Sequence, residues 1–289
     1  MRCALRGTLA AIALAGALAA PAAAADVSER NGLIIGGGAL AVFAYGKAKW
    51  WSEGFSGDFR SRKEGWFGSE TYAGGADKLG HAWGTYVGTR ALARTFEWAG
   101  NDEGAALRLA AWSALGTYMA IEVLDGYSRR WTFSREDALA NAAGAGIAVL
   151  LERDPALDRL VDLRLLYTPP RRSSDSRTID PLSDYTGQTY LLVVKAAGVP
   201  ALRDRPVWRY LEVAAGYGAR RFDDGPDARP GRTRNLYLGI SLNLSEVLAR
   251  TAGRDEAPPG WGRRLASGVL EVVQVPGTFV PLARHHASP

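Results

Sequence analysis

The sequence has one cysteine and three histidines. The thiol, Cys3, lies ahead of an apolar run near the N-terminus, and two of the histidines, His285 and His286, lie in the C-terminal tail. A single cysteine excludes an intrachain disulfide framework and a cysteine-rich zinc site. With His81 the only histidine outside the tail, a metal centre built mainly of imidazoles is excluded as well. No G-x-S-x-G nucleophile motif is present, and without a cysteine or a second core histidine a familiar triad is ruled out. Long uninterrupted apolar runs are also scarce. The stretch from Gly32 to Gly46 falls short of the roughly 20 residues that span a bilayer, and the longer run at 104–124 carries Arg108 in its first turns. The formal charge of +5 and pI near 9.4 come from scattered basic residues. These are not interleaved with aromatics, as a surface that reads nucleic-acid bases requires. For an exported chain the charge points instead to anionic lipid head groups and a membrane surface. Nine tryptophans and eleven tyrosines suit an interfacial protein, and suit an ordinary aromatic core equally.

Residues 1–25 have the form of a secretory signal. Arg2 and Arg6 make a positive start, Leu9 to Ala20 an apolar segment, and Ala23-Ala24-Ala25 a small-residue cleavage pattern. The mature chain is expected to begin at Asp26, in the periplasm or associated with the outer membrane. Cys3 precedes the apolar segment rather than following the cleavage point, so no lipid anchor is expected.

The remainder separates by periodicity into a helical bundle domain at 26–165, a linker at 166–186 and a β-rich region at 187–289. The fold class expected is mainly α: a compact bundle of about four apolar helices followed by a small antiparallel β region. The helices are expected near 32–46, 76–98, 104–124 and 135–152. Lys47, Lys49, Trp50 and Trp51 read as an interfacial edge to the first helix, and 52–75 as an irregular segment. In the second helix Gly80, Gly84 and Gly88 repeat every four residues. Each glycine costs a helix on the order of 1 kcal/mol relative to alanine, so a close helix–helix approach is expected there. Arg90 and Arg94 mark its far end as wet. The fourth helix carries a small-residue stripe, Ala138, Ala142 and Gly146. The linker holds Pro169-Pro170, Arg171, Arg172 and Arg177. Beyond it, alternation through Leu236, Leu238, Ile240, Leu242 and Leu244 reads as a strand with one apolar face. Trp208 to Arg220 and Tyr190 to Lys195 read similarly, with 223–230 as a hairpin loop and further strand character at Val269 to Val275 and Phe279 to Leu282. Three or four strands are too few for the smallest outer-membrane barrels, which need eight.

Polar residues gather at the helix ends. Asp77 and His81 are four apart, one helical turn, and Lys78 is three before His81, so they can share a proton, a substrate oxygen or a metal. Glu122 and Asp125 close the third helix on one face, with Gly126 supplying the turn. Ser134 and Asp137 have capping-box spacing, and Asn141 follows among alanines and glycines. The blocks Ala76-Asp77-Lys78-Leu79-Gly80-His81, Glu122-x-x-Asp125-Gly126-Tyr127-Ser128 and Phe133-Ser134-x-x-Asp137-x-x-x-Asn141-x-x-Gly144 resemble the YfiM-type family of predicted periplasmic lipoproteins. They are also similar in layout to VanZ-like membrane proteins. The resemblance covers roughly residues 70–150. It implies a cell-envelope protein of unassigned chemistry, and the VanZ-like members are linked to glycopeptide resistance. Two departures stand out: the lipobox cysteine is missing, and Asp125-Gly126 replaces a VanZ-like Gln-rich segment.

Two classes of function are compatible with these residues. In the first, Asp77, Lys78, His81, Glu122, Asp125, Ser134, Asp137 and Asn141 form a catalytic site acting on an envelope lipid or glycan. Asp77, His81 and Glu122 then hold a divalent cation, an oxygen-rich set suited to Mg²⁺ or Mn²⁺. In the second, the polar cluster only locks helix packing, and the protein is a non-enzymatic component of the envelope.

Overall fold

The computed structural model describes residues 26–169, 181–222, 231–251 and 260–287. The signal segment 1–25, the arginines of the linker and the hairpin loop at 223–230 lie outside them. Helix dominates, as composition and periodicity suggest, with eight α-helices and a six-stranded sheet among the described residues. The chain divides into two units. One comprises the described residues through Glu64 together with Gly84–Leu150; the other comprises Gly65–Trp83 and the described residues from Leu151 onward.

In the first unit the helices start where side chains satisfy their exposed amides. Helix α1 (Val27–Lys49) is capped by Asp26, which accepts from Glu29 N–H at 2.8 Å, and ends in Lys47 and Lys49, whose charge suits the negative end of the helix dipole. A two-residue strand β1 (Ser61–Arg62) precedes the long helix α2 (Ala76–Trp98). Helix α3 (Glu103–Tyr127) is capped by Asp102, which accepts from Ala105 N–H at 2.9 Å. Strand β2 (Phe133–Ser134) pairs in parallel with β1 and leads directly into α4 (Arg135–Arg153). Ile34, Ala93, Phe96, Leu107, Ala110 and Val149 form an apolar core to which α1, α2, α3 and α4 all contribute. A shared core does not by itself make the expected four-helix bundle.

The glycine row of α2 does not seat a neighbouring helix as expected: a Cβ at Gly80 would lie 2.8 Å from the Tyr190 hydroxyl, one at Gly84 2.2 Å from the Tyr118 hydroxyl and one at Gly88 3.8 Å from the Ala114 methyl, so the first two glycines make room for the ends of tyrosine side chains. Burial pushes the enclosed Tyr118 phenol up to about 12. Three further sequence expectations are corrected in this unit. Arg90 is buried, hydrogen-bonded to the Tyr86 hydroxyl at 2.8 Å, and only Arg94 is wet. Trp51 is 1% exposed, so it is a core residue and not an interfacial anchor. In α4, Ala142 and Gly146 face outward, while the buried face runs through Asp137, Asn141, Ala145 and Ala148.

The second unit is built on the sheet. Helix α5 (Pro155–Leu160), capped by Asp154, leads into β3 (Val161–Tyr167). Then come β4 (Gln188–Lys195), α6 (Pro200–Arg203), β5 (Leu211–Arg220), β6 (Thr233–Leu242), α7 (Leu244–Thr251), α8 (Trp261–Val272), β7 (Val273–Gln274) and β8 (Phe279–Ala287). The strand order is β7-β3-β4-β5-β6-β8, antiparallel except for the parallel β3–β7 pair. The sheet is thus larger than the three or four strands expected. Residues 161–165 belong to it and not to the helical part, because Val161-Asp162-Leu163-Arg164-Leu165 alternates with period two. Val269 to Val272, expected as strand, completes α8.

Segment 65–83 packs on one end of the sheet through Ala73, Ala76, Leu165, Tyr190, Ala219 and Phe222. Ala73, Gly74 and Gly75 all have positive φ, at 48°, 62° and 85°. A Cβ at Gly75 would sit 2.1 Å from the Trp66 carbonyl oxygen, so only glycine fits there. This left-handed turn sets the point at which α2 begins, one residue before Asp77.

Candidate functional site

The structure distributes the sequence-predicted site residues over both units. Asp77, Lys78 and His81 lie in the first turns of α2, in the sheet-containing unit. Glu122, Asp125, Ser134, Asp137 and Asn141 lie in the helical unit, where they come from the end of α3, from β2 and from α4.

Within the helical unit, segment 52–64 fixes the junction from which the site is built. The Arg60 guanidinium donates through Nη2 to the Ser128 and Trp131 carbonyls, the latter at 3.0 Å, and Phe59 packs against Tyr127 and Phe133. These contacts hold β2 beside the last turn of α3. Ser134 then acts as the N-cap of α4, its hydroxyl accepting from Asp137 N–H at 3.2 Å. This is the first half of the capping box read from the sequence. The other half differs: Ser134 N–H donates to Glu122 Oε2 at 3.5 Å, so a carboxylate from α3 occupies the role the spacing gave to Asp137. Glu122, Ser134 and Asp137 are thereby connected in sequence across two helices, all three buried. One turn further along α4, the fully buried Asn141 accepts from the Thr85 hydroxyl at 3.0 Å.

Asp125 has a different environment. Its Oδ1 accepts from the Trp51 indole N–H at 2.6 Å. Enclosure raises its pKa, and the nearby charges of Asp137 and Glu64 raise it further against the lowering effect of the Trp51 bond, so the group is pushed up to about 7. Glu64 N–H in turn points to Glu136 Oε2 at 3.4 Å. Glu64, Glu122, Asp125, Glu136 and Asp137 therefore make the α3–β2–α4 junction strongly acidic. Such a junction offers several carboxylate oxygens to a cation and at least one carboxyl able to exchange a proton near neutral pH.

In the sheet-containing unit, Lys78 Nζ bonds Asp77 Oδ2 at 2.8 Å, and both side chains are buried. His81, one turn beyond Asp77, is half-buried. Asp77 also helps to raise Tyr217, which burial above all pushes up to about 12 and whose hydroxyl donates to the Gly74 carbonyl. Sequence reasoning missed Thr85, Trp51 and Glu64. Thr85 was accessible, because extending the helical row Asp77, His81 by one turn reaches it. Trp51 and Glu64 are brought in by irregular chain, for which no periodicity exists.

A helical unit with an acidic helix-end junction and a sheet-containing unit that supplies a histidine, an aspartate and a lysine define an α and β protein of two units. Residues 63–153 match a family described as predicted periplasmic lipoprotein, DUF2279. The match covers less than half of the 289 residues, yet it contains all eight candidate site residues. Its description agrees with export to the periplasm or to an outer-membrane-associated location, as the N-terminal signal pattern indicates. It carries neither the YfiM nor the VanZ name. No curated protein and no solved structure matches the chain. Among the described residues, no helix is long and apolar enough to cross a membrane.

Proposed function

We propose that this exported protein uses its polar residues for acid–base or cation-assisted chemistry on a phosphate- or glycan-bearing envelope lipid. The observation that carries the proposal is the acidic junction of the helical unit, where Asp125 is held by Trp51 beside further carboxylates and titrates near 7. A carboxyl group in that range can both take and give a proton at ambient pH. Glu122, whose Oε2 accepts from Ser134 N–H, and Asp137, whose own backbone N–H bonds the Ser134 hydroxyl, add further carboxylate oxygens to the same junction.

Asp77, Lys78 and His81 belong to the same chemistry in this reading. Helix α2 carries Asp77, His81 and Thr85 at one-turn intervals, and Thr85 is the residue bonded to Asn141. In the sheet-containing unit Asp77 and His81, one turn apart on α2, are proposed ligands of a divalent cation, with Lys78 orienting Asp77 through their 2.8 Å contact, and in the helical unit Glu122 is the proposed ligand. One imidazole with carboxylates suits Mg²⁺ or Mn²⁺ better than a closed zinc site. The finer likeness to YfiM-type proteins, and the looser one to VanZ-like layout, fits an envelope substrate.

The test is elemental analysis and Mn²⁺ calorimetry on the full chain beside His81→Ala and Glu122→Gln. Stoichiometric cation binding, lost in both variants while the thermal transition is retained, is the expected result. A second reading, a purely structural lock, is favoured by the bonds Ser134–Glu122 and Thr85–Asn141, which tie helices together. If no cation binds and both variants melt at much lower temperature, the catalytic proposal fails and the lock is the function of these residues.

A further inference from the structure

The sheet is polar on the wrong side for a protein surrounded by water. Reading across β3, β4, β5, β6 and β8, one register row is Val161, Val194, Val213, Ile240 and Val280. The next row on the same face is Leu163, Leu192, Ala215, Leu238 and Ala283. No polar residue interrupts either row. Val213, Leu238 and Val280 are 54%, 53% and 53% exposed, in the range of surface side chains.

The opposite face is sealed and carries the charge. Arg164 Nη2 lies 2.5 Å from Asp162 Oδ2 and 2.7 Å from Glu212 Oε1; Lys195 Nζ lies 2.6 Å from Asp162 Oδ1; and the Ser241 hydroxyl donates to Glu212 Oε2 at 2.6 Å. Charged groups buried and aliphatic groups exposed invert the alternation of a half-solvated sheet, and match the alternation of a sheet whose outer face meets hydrocarbon.

The dimensions and the rim agree. From Leu236 to Leu242 the exposed leucines and isoleucine of β6 cover six residue steps, about 20 Å at the strand rise. That is close to the roughly 25 Å apolar band of proteins seated in an outer membrane. At the Leu242 end the preceding segment presents Val207 and Trp208 to solvent among Arg203, Arg205 and Arg209, and Asn243 N–H bonds the Tyr210 carbonyl at 2.9 Å, which keeps that segment beside the strand end. Tryptophan and arginine beside an apolar surface suit the boundary between acyl chains and anionic head groups.

We propose that the outward face of the sheet docks on a lipid bilayer bearing anionic head groups, with the valine and leucine rows in contact with acyl chains and the arginine–tryptophan rim at the head groups. On the same face the next row, Leu165, Tyr190 and Tyr217, is packed against segment 65–83, which carries Asp77, Lys78 and His81, so the docking surface is the part of the face beyond that segment. It is tested with the full chain by co-flotation with vesicles of phosphatidylethanolamine and phosphatidylglycerol, comparing wild type with Val213→Glu and, on the neighbouring strand, Leu238→Glu. Both substitutions point outward, so the fold should keep its circular dichroism and thermal transition. The expected result is that wild type floats and each variant loses at least roughly tenfold of its bound fraction, as a charge on a lipid-facing position requires. The proposal is overturned if wild type does not float, or if both variants, folded, float as well as wild type. It is also overturned if wild type without vesicles sediments as a dimer that the variants dissolve, because a second copy would then cover the face.

Discussion

Replacing Asp125 by asparagine should remove a pH dependence of stability that the wild-type protein carries between the acid range and neutrality. Asp125 titrates at an ordinary value of 3.8 when unfolded and is raised to about 7 in the fold, chiefly by enclosure. Between those values the native state holds a proton that the unfolded chain has released. Stability therefore falls as pH rises through this window: the penalty is absent below about pH 4 and complete above about pH 7. A difference of about 3 pKa units corresponds to at most about 4 kcal/mol, and the share Asp125 has with Asp137 and Glu64 makes that an upper bound. Asparagine keeps a carbonyl oxygen for the Trp51 indole, 2.6 Å away in wild type, and cannot ionise. Urea denaturation of both proteins, followed by circular dichroism from about pH 4 to about pH 8, should show the variant gaining on wild type by several kcal/mol as pH rises. Taking the difference between the two proteins cancels the titration of other carboxyl groups that behave alike in both. A difference that stays constant across the range would refute the enclosure argument and, with it, the assignment of Asp125 as an acid–base group at neutral pH.

Three further outcomes can be read by thermal or chemical denaturation. Arg164→Met takes the cation from between Asp162 and Glu212, leaving two buried carboxylates, and should cost about 3–5 kcal/mol. Gly84→Ala drives a methyl to within 2.2 Å of the Tyr118 hydroxyl; overpacking of about 1–3 kcal/mol should exceed the roughly 1 kcal/mol gained in helix propensity, so the variant melts at lower temperature. Ser134→Ala removes the cap on Asp137 N–H and should cost about 1 kcal/mol, while Ser134→Thr, which keeps the hydroxyl and adds no charge to the acidic junction, restores most of it.

The four long helices α1 to α4 were legible, two of them through their caps, whereas α5 to α8 were not. Asp102 before the Leu- and Ala-rich run and Ser134 before Asp137 both cap as their residue types predict, and the resulting helices fall within a few residues of the expected ones. The sheet was only partly legible, for two physical reasons. Val161 to Tyr167 is strand by alternation, but Asp162 and Arg164 on its enclosed face make it look like the charged end of a helix; only the partners Glu212 and Lys195, distant in sequence, render those charges tolerable. Val269 to Val272 is rich in residues that favour strands, yet it continues α8, where the Trp83 indole N–H bonds the Val272 carbonyl at 3.0 Å. Local preference yields there to packing.

The candidate site was legible as a set of residues and not as a circuit. Spacing placed Glu122, Asp125, Ser134 and Asp137 at helix ends, which is where they stand, but it assigned the capping partnership within α4. The structure gives the Ser134 amide to Glu122 instead, because β1 pairs with β2 and holds that amide against the last turns of α3. A pairing between residue 61 and residue 133 has no signature in either local sequence. The same reasoning explains Trp51. It follows a helix in a lysine- and tryptophan-rich stretch, a composition that reads as interfacial, and becomes buried because the carboxyl group of Asp125, brought by α3, accepts its indole N–H. Polar residues that are spaced for a local role are thus recruited across elements, and the chemistry proposed for Asp125 rests on that recruitment: without the enclosure these elements provide and the charges of Asp137 and Glu64, the same aspartate at the end of an exposed helix would titrate as an ordinary carboxyl group.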